Sequence, residues 1–352
     1  MNAIPVIDVH THLAGVGAGG TGCWVSERTF KSIPWRYMRR MLGLNRARDG
    51  DDVDLAYLTR LEKDLASATE HGALDAAVIF PHDRIYDDHG RQADEQEMYV
   101  PNDYAFACAV RALNEARRDG QQRPRWCFLP AMSVHPYRHD AVEETARCVE
   151  LGAVAMKWLP SSQNIDGRDG RCRIIYGMLA RHGVPLIVHT GGEHTVRVVR
   201  KDMCNPDAFI PALEAGVTVI MAHCGTNSII FETDWSGRFI ELARGYRNCY
   251  GDTSAFSSLG RARWARRFLH HEEIIPRLVH GSDYPVPPSA ALAVFGIGLR
   301  KARELGRIWS LLERDVAIKK ARGYPNVVFT NAARLLPKAA MRRWGLVVPD
   351  QT

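Results

Sequence analysis

The sequence contains no apolar run close to the ~20 residues that a transmembrane helix needs. It also lacks the apolar N-terminal segment of a secretory signal peptide, because polar and acidic residues follow Met1 within a few positions. Its eight cysteines are scattered and include no Cys-x-x-Cys pair, which disfavours a disulfide framework and favours reduced thiols. We therefore expect a cytoplasmic protein with no membrane partner.

The excess of positive charge is small. The chain has 46 Lys and Arg against 40 Asp and Glu, a net charge of +6. Basic residues cluster at 36–48, 261–267 and 300–307, in segments where apolar residues are interspersed. Solvated helix faces explain these clusters better than a nucleic-acid surface, which would need a basic stripe with interleaved aromatic residues. We expect no nucleic-acid partner, and a site mouth that attracts a small anionic molecule.

Short apolar runs recur along the 352 residues, and amphipathic segments separate them. The runs are almost continuously apolar, which is typical of strands buried on both faces of a parallel sheet. The predicted strands are 4–9, 76–80, 126–132, 153–158, 185–189, 218–223, 248–253 and 277–281. This alternation predicts an α/β fold, a (β/α)8 TIM barrel, with residues 1–352 forming a single domain.

Two regions depart from the regular spacing. A long insertion follows the first predicted strand and contains residues 15–22, a glycine-rich stretch that predicts either a mobile lid or a flexible turn. After the eighth strand the chain continues through extra C-terminal helices, predicted at 290–314 and 331–344. The insertion is where substrate selection is expected to lie, because loops at strand ends vary most between barrel enzymes.

Ionisable side chains stand at the ends of the predicted strands, where barrel enzymes place their reacting groups. His10 and His12 end the first strand and project from the same face, because alternate residues of a strand share a face. Two imidazoles on one face favour a divalent-metal site. Other such residues end strands four, five, six and eight: Lys157, His189, His223 and Asp283.

Three further residues follow strands two and three and are predicted to lie over the site as substrate contacts. They are His82, Arg84 and His135, each of which could equally be a solvent-exposed loop residue. Arg84 could hold a substrate carboxylate through a bidentate contact. Asp8 either accepts a hydrogen bond from a metal-binding imidazole or packs in the core. Cys224 is interpreted as a small buried residue.

Six segments together resemble the amidohydrolase superfamily, in the amidohydrolase-related (amidohydrolase 2) branch of metal-dependent TIM-barrel hydrolases. They occur in the family's order over nearly the whole chain. The segments are 8–12 (DVHTH), 152–157 (GAVAMK), 185–191 (PLIVHTG), 222–225 (AHCG), 281–285 (GSDYP) and 331–336 (NAARLL). The paired histidines alone are a modest signal, and the ordered set is a strong one.

The resemblance implies a metal centre, usually of zinc, although another divalent transition metal would suit the same ligands. The implied ligands are His10, His12, His189 and Asp283. The implied catalytic residues are Asp283, which shuttles the proton of the attacking water, with His223 and Lys157. In binuclear members of the superfamily a strand-four lysine is carbamylated, so Lys157 and His223 could hold a second ion. One ion is favoured, since the branch is usually mononuclear.

The same resemblance implies hydrolysis of an ester, lactone or amide carbonyl in a small, carboxylated substrate by a metal-activated water. The alternative is a metal-dependent decarboxylase or lyase that acts on an aromatic or unsaturated carboxylic acid. Some decarboxylases replace the first histidine of the pair by glutamate, and the intact pair His10 and His12 leans toward hydrolysis. The substrate stays open, as does assembly into a homo-oligomer.

Overall fold

The computed structural model describes residues 3–44, 52–118 and 126–349. Eight short strands in this part of the chain run parallel, and each falls within or next to a predicted strand. They are β1 (Ile7–His12), β2 (Ala76–Phe80), β3 (Cys127–Pro130), β4 (Met156–Trp158), β5 (Leu186–His189), β6 (Val219–Ala222), β7 (Cys249–Asp252) and β8 (Leu278–Val279). Nearly all of their side chains are buried, as their continuous apolar character predicts.

The strands follow barrel order, with each one beside its neighbour in the chain. One parallel sheet contains β1, β2 and β3, and a second contains β4 to β8. Backbone hydrogen bonds join the two sheets at both edges. Met132 N donates to Ala155 O (2.8 Å) between β3 and β4, and Val9 N donates to His280 O (3.0 Å) between β8 and β1. The predicted TIM-barrel fold is confirmed.

Helices and short 3-10 turns surround the strands. The α-helices are α1 (Glu27–Phe30), α2 (Ile33–Met41), α3 (Val53–Glu70), α4 (Asn102–Arg118), α5 (Ala141–Leu151), α6 (Pro160–Gln163), α7 (Cys172–His182), α8 (Ile210–Glu214), α9 (Ser236–Gly245), α10 (Val294–Ile297), α11 (Leu299–Leu305), α12 (Leu311–Ala321), α13 (Asn326–Thr330), α14 (Ala332–Leu335) and α15 (Lys338–Arg343). Within the described ranges, no helix has the length and apolar character needed to cross a membrane.

The two predicted C-terminal helices are each interrupted. The 290–314 segment breaks at Gly298, whose φ of 79° is outside helical space, and Ser310 caps a new helix by accepting from Glu313 N. The 331–344 segment breaks before Pro337, which cannot continue the hydrogen bonding of the preceding turn. Amphipathic periodicity alone does not reveal such breaks, because apolar residues stay in phase across them.

The long insertion after β1 is anchored to helix α3. The Asp54 carboxylate accepts hydrogen bonds from Val16 N (2.7 Å), Gly17 N (3.0 Å) and the Thr21 hydroxyl. A side chain at Gly15 would place its Cβ 2.4 Å from that carboxylate, so the close approach requires glycine. The glycine-rich stretch is therefore a turn wrapped around one buried acid.

The rest of the insertion forms α1 and α2, which reach across the end of the barrel. Strand Trp24–Val25 pairs antiparallel with Met98–Tyr99 beyond β2. The indole nitrogen of Trp35 in α2 donates to Thr195 O (3.1 Å) in the segment after β5. The insertion is thus fastened to the barrel on two sides of its carboxyl-terminal face.

A buried ion pair lies beneath the end of β8. Lys319 Nζ in α12 donates to Asp315 Oδ2 (2.5 Å) and to Gly281 O (2.6 Å), and both side chains are 0% exposed. Gly281 lies two residues before Asp283. The ammonium group therefore holds the backbone that carries a predicted metal ligand. The assignment of residues 1–352 to one domain stays a prediction.

Replacing Lys319 by Met should lower the free energy of unfolding by about 3–5 kcal/mol, because Asp315 would be left buried without its partner. Denaturant unfolding measures the change. A matched control is Lys301→Met, since the Lys301–Glu304 pair is 45% and 63% exposed and such pairs contribute about 1 kcal/mol or less. The double variant Lys319→Met/Asp315→Leu should regain much of the loss. Equal effects of the two single variants would contradict the role assigned to the buried pair.

Candidate metal centre

Three of the four predicted metal ligands converge at the carboxyl ends of β1 and β8. His10 Nε2 lies 3.1 Å from His12 Nε2 and 3.2 Å from Asp283 Oδ1, and His12 Nε2 lies 3.6 Å from the same oxygen. Ligand atoms about 2.0–2.1 Å from a tetrahedral zinc are about 3.3 Å apart. The separations among these three atoms therefore fit a common divalent cation.

The hydrogen bonds around His10 leave its Nε2 available as a ligand. His10 Nδ1 lies 2.7 Å from Asp252 Oδ2, and both side chains are fully buried. An ionised carboxylate only accepts, so Nδ1 carries the proton and Nε2 presents its lone pair to the cluster. A carboxylate behind a metal-binding imidazole fixes the ring and raises its basicity.

Asp252 also orients His223, through Ser254. Its Oδ1 accepts from His223 N (2.9 Å), Ser254 N (3.0 Å) and the Ser254 hydroxyl. Because the Ser254 hydroxyl donates its hydrogen bond to Asp252, Ser254 Oγ accepts a hydrogen bond from His223 Nδ1, which lies 2.7 Å away. Nε2 of His223 is then a lone-pair acceptor. His10, His223 and Asp283 each offer a ligand atom within 4.8 Å of the others, a His/His/Asp cluster that could bind a metal.

Burial keeps the imidazoles of this cluster neutral, which metal binding requires. Burial lowers the pKa of His10 to about 4 and that of His189 to about 4, and it lowers the pKa of His223 well below its usual value. Burial alone would raise the pKa of Asp283, but the neighbouring His12, His10 and Arg261 side chains bring it below its usual value. The site thus pairs neutral nitrogen ligands with an ionised oxygen ligand.

His189, the fourth predicted ligand, lies beside the cluster. Its ring packs on His223 with centroids 5.0 Å apart. Its Nε2 is 3.2 Å from Gly192 O and 3.5 Å from Glu193 Oε2. Glu193 is held by the backbone N–H groups of the segment that follows β5, at 2.5 Å from Thr195 N. The structure therefore places an acidic side chain against this histidine.

Lys157 is the middle residue of the three-residue strand β4, and its side chain is buried. Its Nζ lies 3.2 Å from His10 Nε2 and 4.8 Å from the centre of the Phe80 ring. Burial lowers the pKa of Lys157 to about 8, and nearby carboxylates of Asp252 and Asp283 oppose that shift. A lysine with this pKa has an appreciable neutral fraction near neutral pH. The residue is thus in direct contact with the cluster, as its strand-end position predicts.

Backbone strain is concentrated at these strand ends. Outside glycine, the described residues with φ in the left-handed region are Asn164 (63°), His223 (56°), Cys224 (52°), Ala255 (59°) and Asp283 (70°). Four of the five follow β6, β7 or β8. Such conformations cost on the order of 1–3 kcal/mol each, and they persist where the surroundings enforce them. The hydrogen bond from Asp283 N to His10 O (2.9 Å) is one such constraint.

A cavity of about 690 Å³ opens above the cluster. His12, His189, His223 and Asp283 lie at its base. The base also contains Arg261, a buried residue whose Nη2 donates to Gly192 O (2.5 Å). Within the described residues its Nε has no hydrogen-bond partner. A buried guanidinium with spare donors can bind a carboxylate.

The three predicted substrate contacts do not line this cavity as the described residues define it. His135 is buried, with Nε2 2.7 Å from Gln163 O. The guanidinium of Arg84 lies over the Tyr99 ring at 4.1 Å. His82 is buried, and burial lowers its pKa to about 3. Their roles in substrate binding stay predictions.

Two other interpretations can be compared with the structure. Asp8 Oδ1 accepts from the backbone nitrogens of His10 and Ser282, at 2.9 Å each, so Asp8 ties the ends of β1 and β8 together and contacts no imidazole at hydrogen-bond distance. Cys224 is fully buried and donates to Asp252 O at 3.2 Å. Its environment raises the pKa of the thiol well above its usual value, which agrees with a packing role.

Sequence reasoning assigned no role to three residues of the site. Asp252 stands at the end of β7, and this strand-end position is the one signal in the sequence that points to it. Glu193 follows β5 by four residues, which is too far from the strand end for its position alone to assign it a role. Arg261 belongs to a basic cluster that we interpreted as a solvated helix face, and the structure shows that this interpretation is wrong for Arg261, which is 8% exposed. Burial of a single arginine leaves no pattern in a mixed basic segment.

Solved structures similar to this chain include a TIM-barrel protein. An uncharacterised TIM-barrel protein from Bordetella bronchiseptica is 17% identical with a TM-score of 0.52, over 88% of this chain and 99% of that one. A protein from Pseudomonas putida assigned as a 2-pyrone-4,6-dicarboxylic acid hydrolase is 16% identical (TM-score 0.45; 91% and 99%). An amidohydrolase from Mycobacterium avium subsp. paratuberculosis is 13% identical (TM-score 0.45; 98% and 100%).

No curated protein matches the chain in sequence. The sequence profile of the amidohydrolase family matches residues 7–337, from the first residue of β1 to the proline before α15. That range contains all eight strands and every residue of the cluster. The chain therefore belongs to the amidohydrolase family.

Proposed function

We propose that this chain is a metal-dependent hydrolase that adds water to the ester, lactone or amide carbonyl of a small, carboxylated substrate. The observation that carries the proposal is the convergence of His10 Nε2, His12 Nε2 and Asp283 Oδ1 within 3.1–3.6 Å of one another. Two imidazole nitrogens and one carboxylate oxygen form a donor set suited to zinc or a related divalent metal.

We assign a single ion to His10, His12, His189 and Asp283. When bound, a divalent cation polarises a carbonyl oxygen and lowers the pKa of a coordinated water. The protein contributes the orientation of the ligands. Asp252 holds His10 from behind, and Asp8 fixes the backbone that carries His10.

Asp283 is the proposed proton acceptor for the attacking water. Its surroundings keep the carboxylate ionised, and its Oδ1 lies in the cluster beside His10 and His12. The left-handed backbone of Asp283 and the hydrogen bond from its N–H to His10 O hold the side chain in this position. A carboxylate next to the reacting water can accept its proton without large movement.

The hydrogen-bond network favours Lys157 over His223 as the donor that stabilises negative charge on the carbonyl oxygen. His223 donates a hydrogen bond from its Nδ1–H group to Ser254. Its Nε2 is therefore unprotonated, so it can accept a proton or bind a metal but cannot donate a hydrogen bond. Lys157 Nζ carries only donors when protonated and already touches the cluster. His223 is then proposed as a second general base beside Asp283, or as a second-ion ligand together with Lys157.

Arg261 is the proposed anchor for a substrate carboxylate. It lies at the base of the cavity near Asp283 and Glu193, and a donor of its guanidinium remains free among the described residues. A small-molecule substrate would thus be held at its charged end next to the reacting groups. The cytoplasmic location and assembly into a homo-oligomer stay predictions.

Replacing Asp283 by Asn should remove most of the bound metal and lower turnover at least about a hundredfold, because the substitution removes both an anionic ligand and the proton acceptor. Elemental analysis after dialysis measures the metal, and a panel of aryl esters, lactones and amides measures turnover. Asp202→Asn, at a residue 61% exposed, is the matched control and should change neither. Full hydrolysis by metal-free Asp283→Asn would contradict the proposal. Carbon dioxide release from hydroxybenzoates, without hydrolysis of the panel, would assign a decarboxylase instead.

Asp252→Asn should weaken metal binding about 10- to 100-fold, because the charged acceptor behind His10 is lost. Competition with a chromophoric chelator gives the affinity. Ser254→Ala is the matched comparison, since Ser254 orients His223 and makes no contact with His10 that the structure describes. The metal affinity of the Ser254→Ala variant should stay close to that of the unmodified protein. An equal loss in both variants would make His223 a ligand and contradict the proposed set.

We expect one metal ion per chain and an unmodified Lys157. Lys157 Nζ lies 3.2 Å from His10 Nε2, so the unmodified side chain already reaches the cluster and can donate to a substrate oxygen there, with no added carboxylate needed. Elemental analysis, combined with the intact mass under non-denaturing conditions, measures both quantities. Two ions together with the mass of a carbamyl group would replace the single-ion proposal by a binuclear centre in which Lys157 and His223 hold the second ion.

A further inference from the structure

Above its charged base, the cavity has a lobe built from the insertion after β1. We define the apolar lobe as the cavity wall contributed by residues 30–44. Phe30, Trp35, Met38, Leu42 and Leu44 are among its members. The ionisable groups proposed to bind metal and substrate charge belong to a different part of the lining, contributed by the segments after the strands and including Asp283 and Arg261. The cavity is thus divided into a reactive base and an apolar wall.

One charged side chain, Arg39, belongs to the described part of this wall, and it packs against Phe30 within the lobe. Its guanidinium lies 3.9 Å from the centre of the Phe30 ring, and its Nη2 donates to Phe30 O (3.2 Å). This cation–π contact between Arg39 and Phe30 lies within the insertion. Beyond Arg39 Nε, which has no hydrogen-bond partner among the described residues, and the Tyr37 hydroxyl, a polar substrate group would find few hydrogen-bond partners along the lobe.

The lobe is held in place before any ligand arrives. Ser32 caps α2 by accepting from Trp35 N, and the Trp35 indole donates across the cavity to Thr195 O (3.1 Å). Thr195 N in turn donates to Glu193, the acid beside His189. The lobe and the base are therefore connected by hydrogen bonds through one segment. Such preorganisation lowers the entropy cost of binding.

Apolar side chains continue to the mouth of the cavity. Ile33 and Leu259 each line it while 80% exposed, and Ile229 lines it while 47% exposed. Large exposed apolar residues scattered singly need no explanation, but a set around one opening indicates a binding surface. A substrate small enough to be satisfied by the base alone would leave this surface in contact with water.

We propose that the substrate carries an apolar alkyl or aryl group remote from its reacting carbonyl, and that the apolar lobe binds this group. Phe30, Trp35 and Met38 are then specificity-determining residues. The inference deepens the proposed function and rests on it for the reacting end of the substrate. A cavity of about 690 Å³ falls in the range that encloses molecules of drug-like size, which leaves room for an apolar group beyond the carboxylate held by Arg261.

The test is a series of straight-chain carboxylates from four to eight carbons, with binding measured by calorimetry on the protein as purified. If the carboxylate binds at the base and the chain lies along the lobe, each added methylene should tighten binding roughly three- to fourfold. Affinities that do not change with chain length would overturn the proposal.

Variants test where the chain lies. Ile33→Asp places a charge at the mouth of the lobe and should weaken octanoate binding about tenfold while leaving butanoate unchanged. Ile174→Asp is the matched control, because Ile174 is 60% exposed on α7 and does not line the cavity. Met38→Ser should flatten the dependence on chain length. If Met38→Ser does not fold, the comparison of the two isoleucine variants still decides the result.

The metal content of each sample separates this inference from the proposed function. Bound metal with no dependence on chain length would overturn the apolar lobe as a substrate site and leave the hydrolase proposal intact. A clear dependence without bound metal would support the lobe and contradict the metal centre. A change of sedimentation in Ile33→Asp with a flat series would assign the mouth to contact with a second copy, which also overturns the inference.

Discussion

The arrangement of the site depends on one buried carboxylate, that of Asp252 at the end of β7. Its two oxygens accept from the His10 ring on one side and from His223 N and Ser254 on the other. Burial alone would raise its pKa, but the charges and hydrogen bonds of His10, His223 and Ser254 bring it below its usual value. The ionised group then fixes which nitrogen of each imidazole is protonated. Hydrogen bonds to this single side chain therefore connect β1 with the segments that follow β6 and β7.

That constraint explains why the backbone at the strand ends is strained. His223, Cys224 and Asp283 adopt left-handed conformations that turn their side chains out of the strand direction, and hydrogen bonds to Asp252, Asp8 and His10 O compensate for the cost. Below them, Lys319 supports Gly281 from a helix far along the chain. The polar groups under the site are thus part of the scaffold that aims the ligands.

The barrel could be predicted from the sequence because most strands are apolar runs and an ionisable residue stands at or shortly after the end of each. The same logic found His10, His12 and Asp283, whose positions depend only on strand ends. Arg261 and Glu193 could not be found in this way, since their place depends on how long loops fold back over the barrel. The predicted C-terminal helices were wrong in their extent, because the chain breaks at Gly298 and before Pro337. A local break of this kind leaves the apolar periodicity of the sequence unchanged.

Charged groups and apolar side chains line the same cavity, although a charge placed next to apolar groups loses hydration free energy. In this structure the two kinds of side chain come from different segments of the chain. Low dielectric strengthens the attraction of Asp283 for Arg261 and for Lys157, but it penalises any charge without a partner. The insertion after β1 brings apolar side chains over the base, and its one charged residue on the cavity, Arg39, is bound to Phe30 within the described insertion. Apolar side chains thereby line one side of the cavity, while the charged groups collect around Asp283 and Arg261. A substrate with one anionic end and one apolar end matches this division because it needs no compensation from solvent at either end.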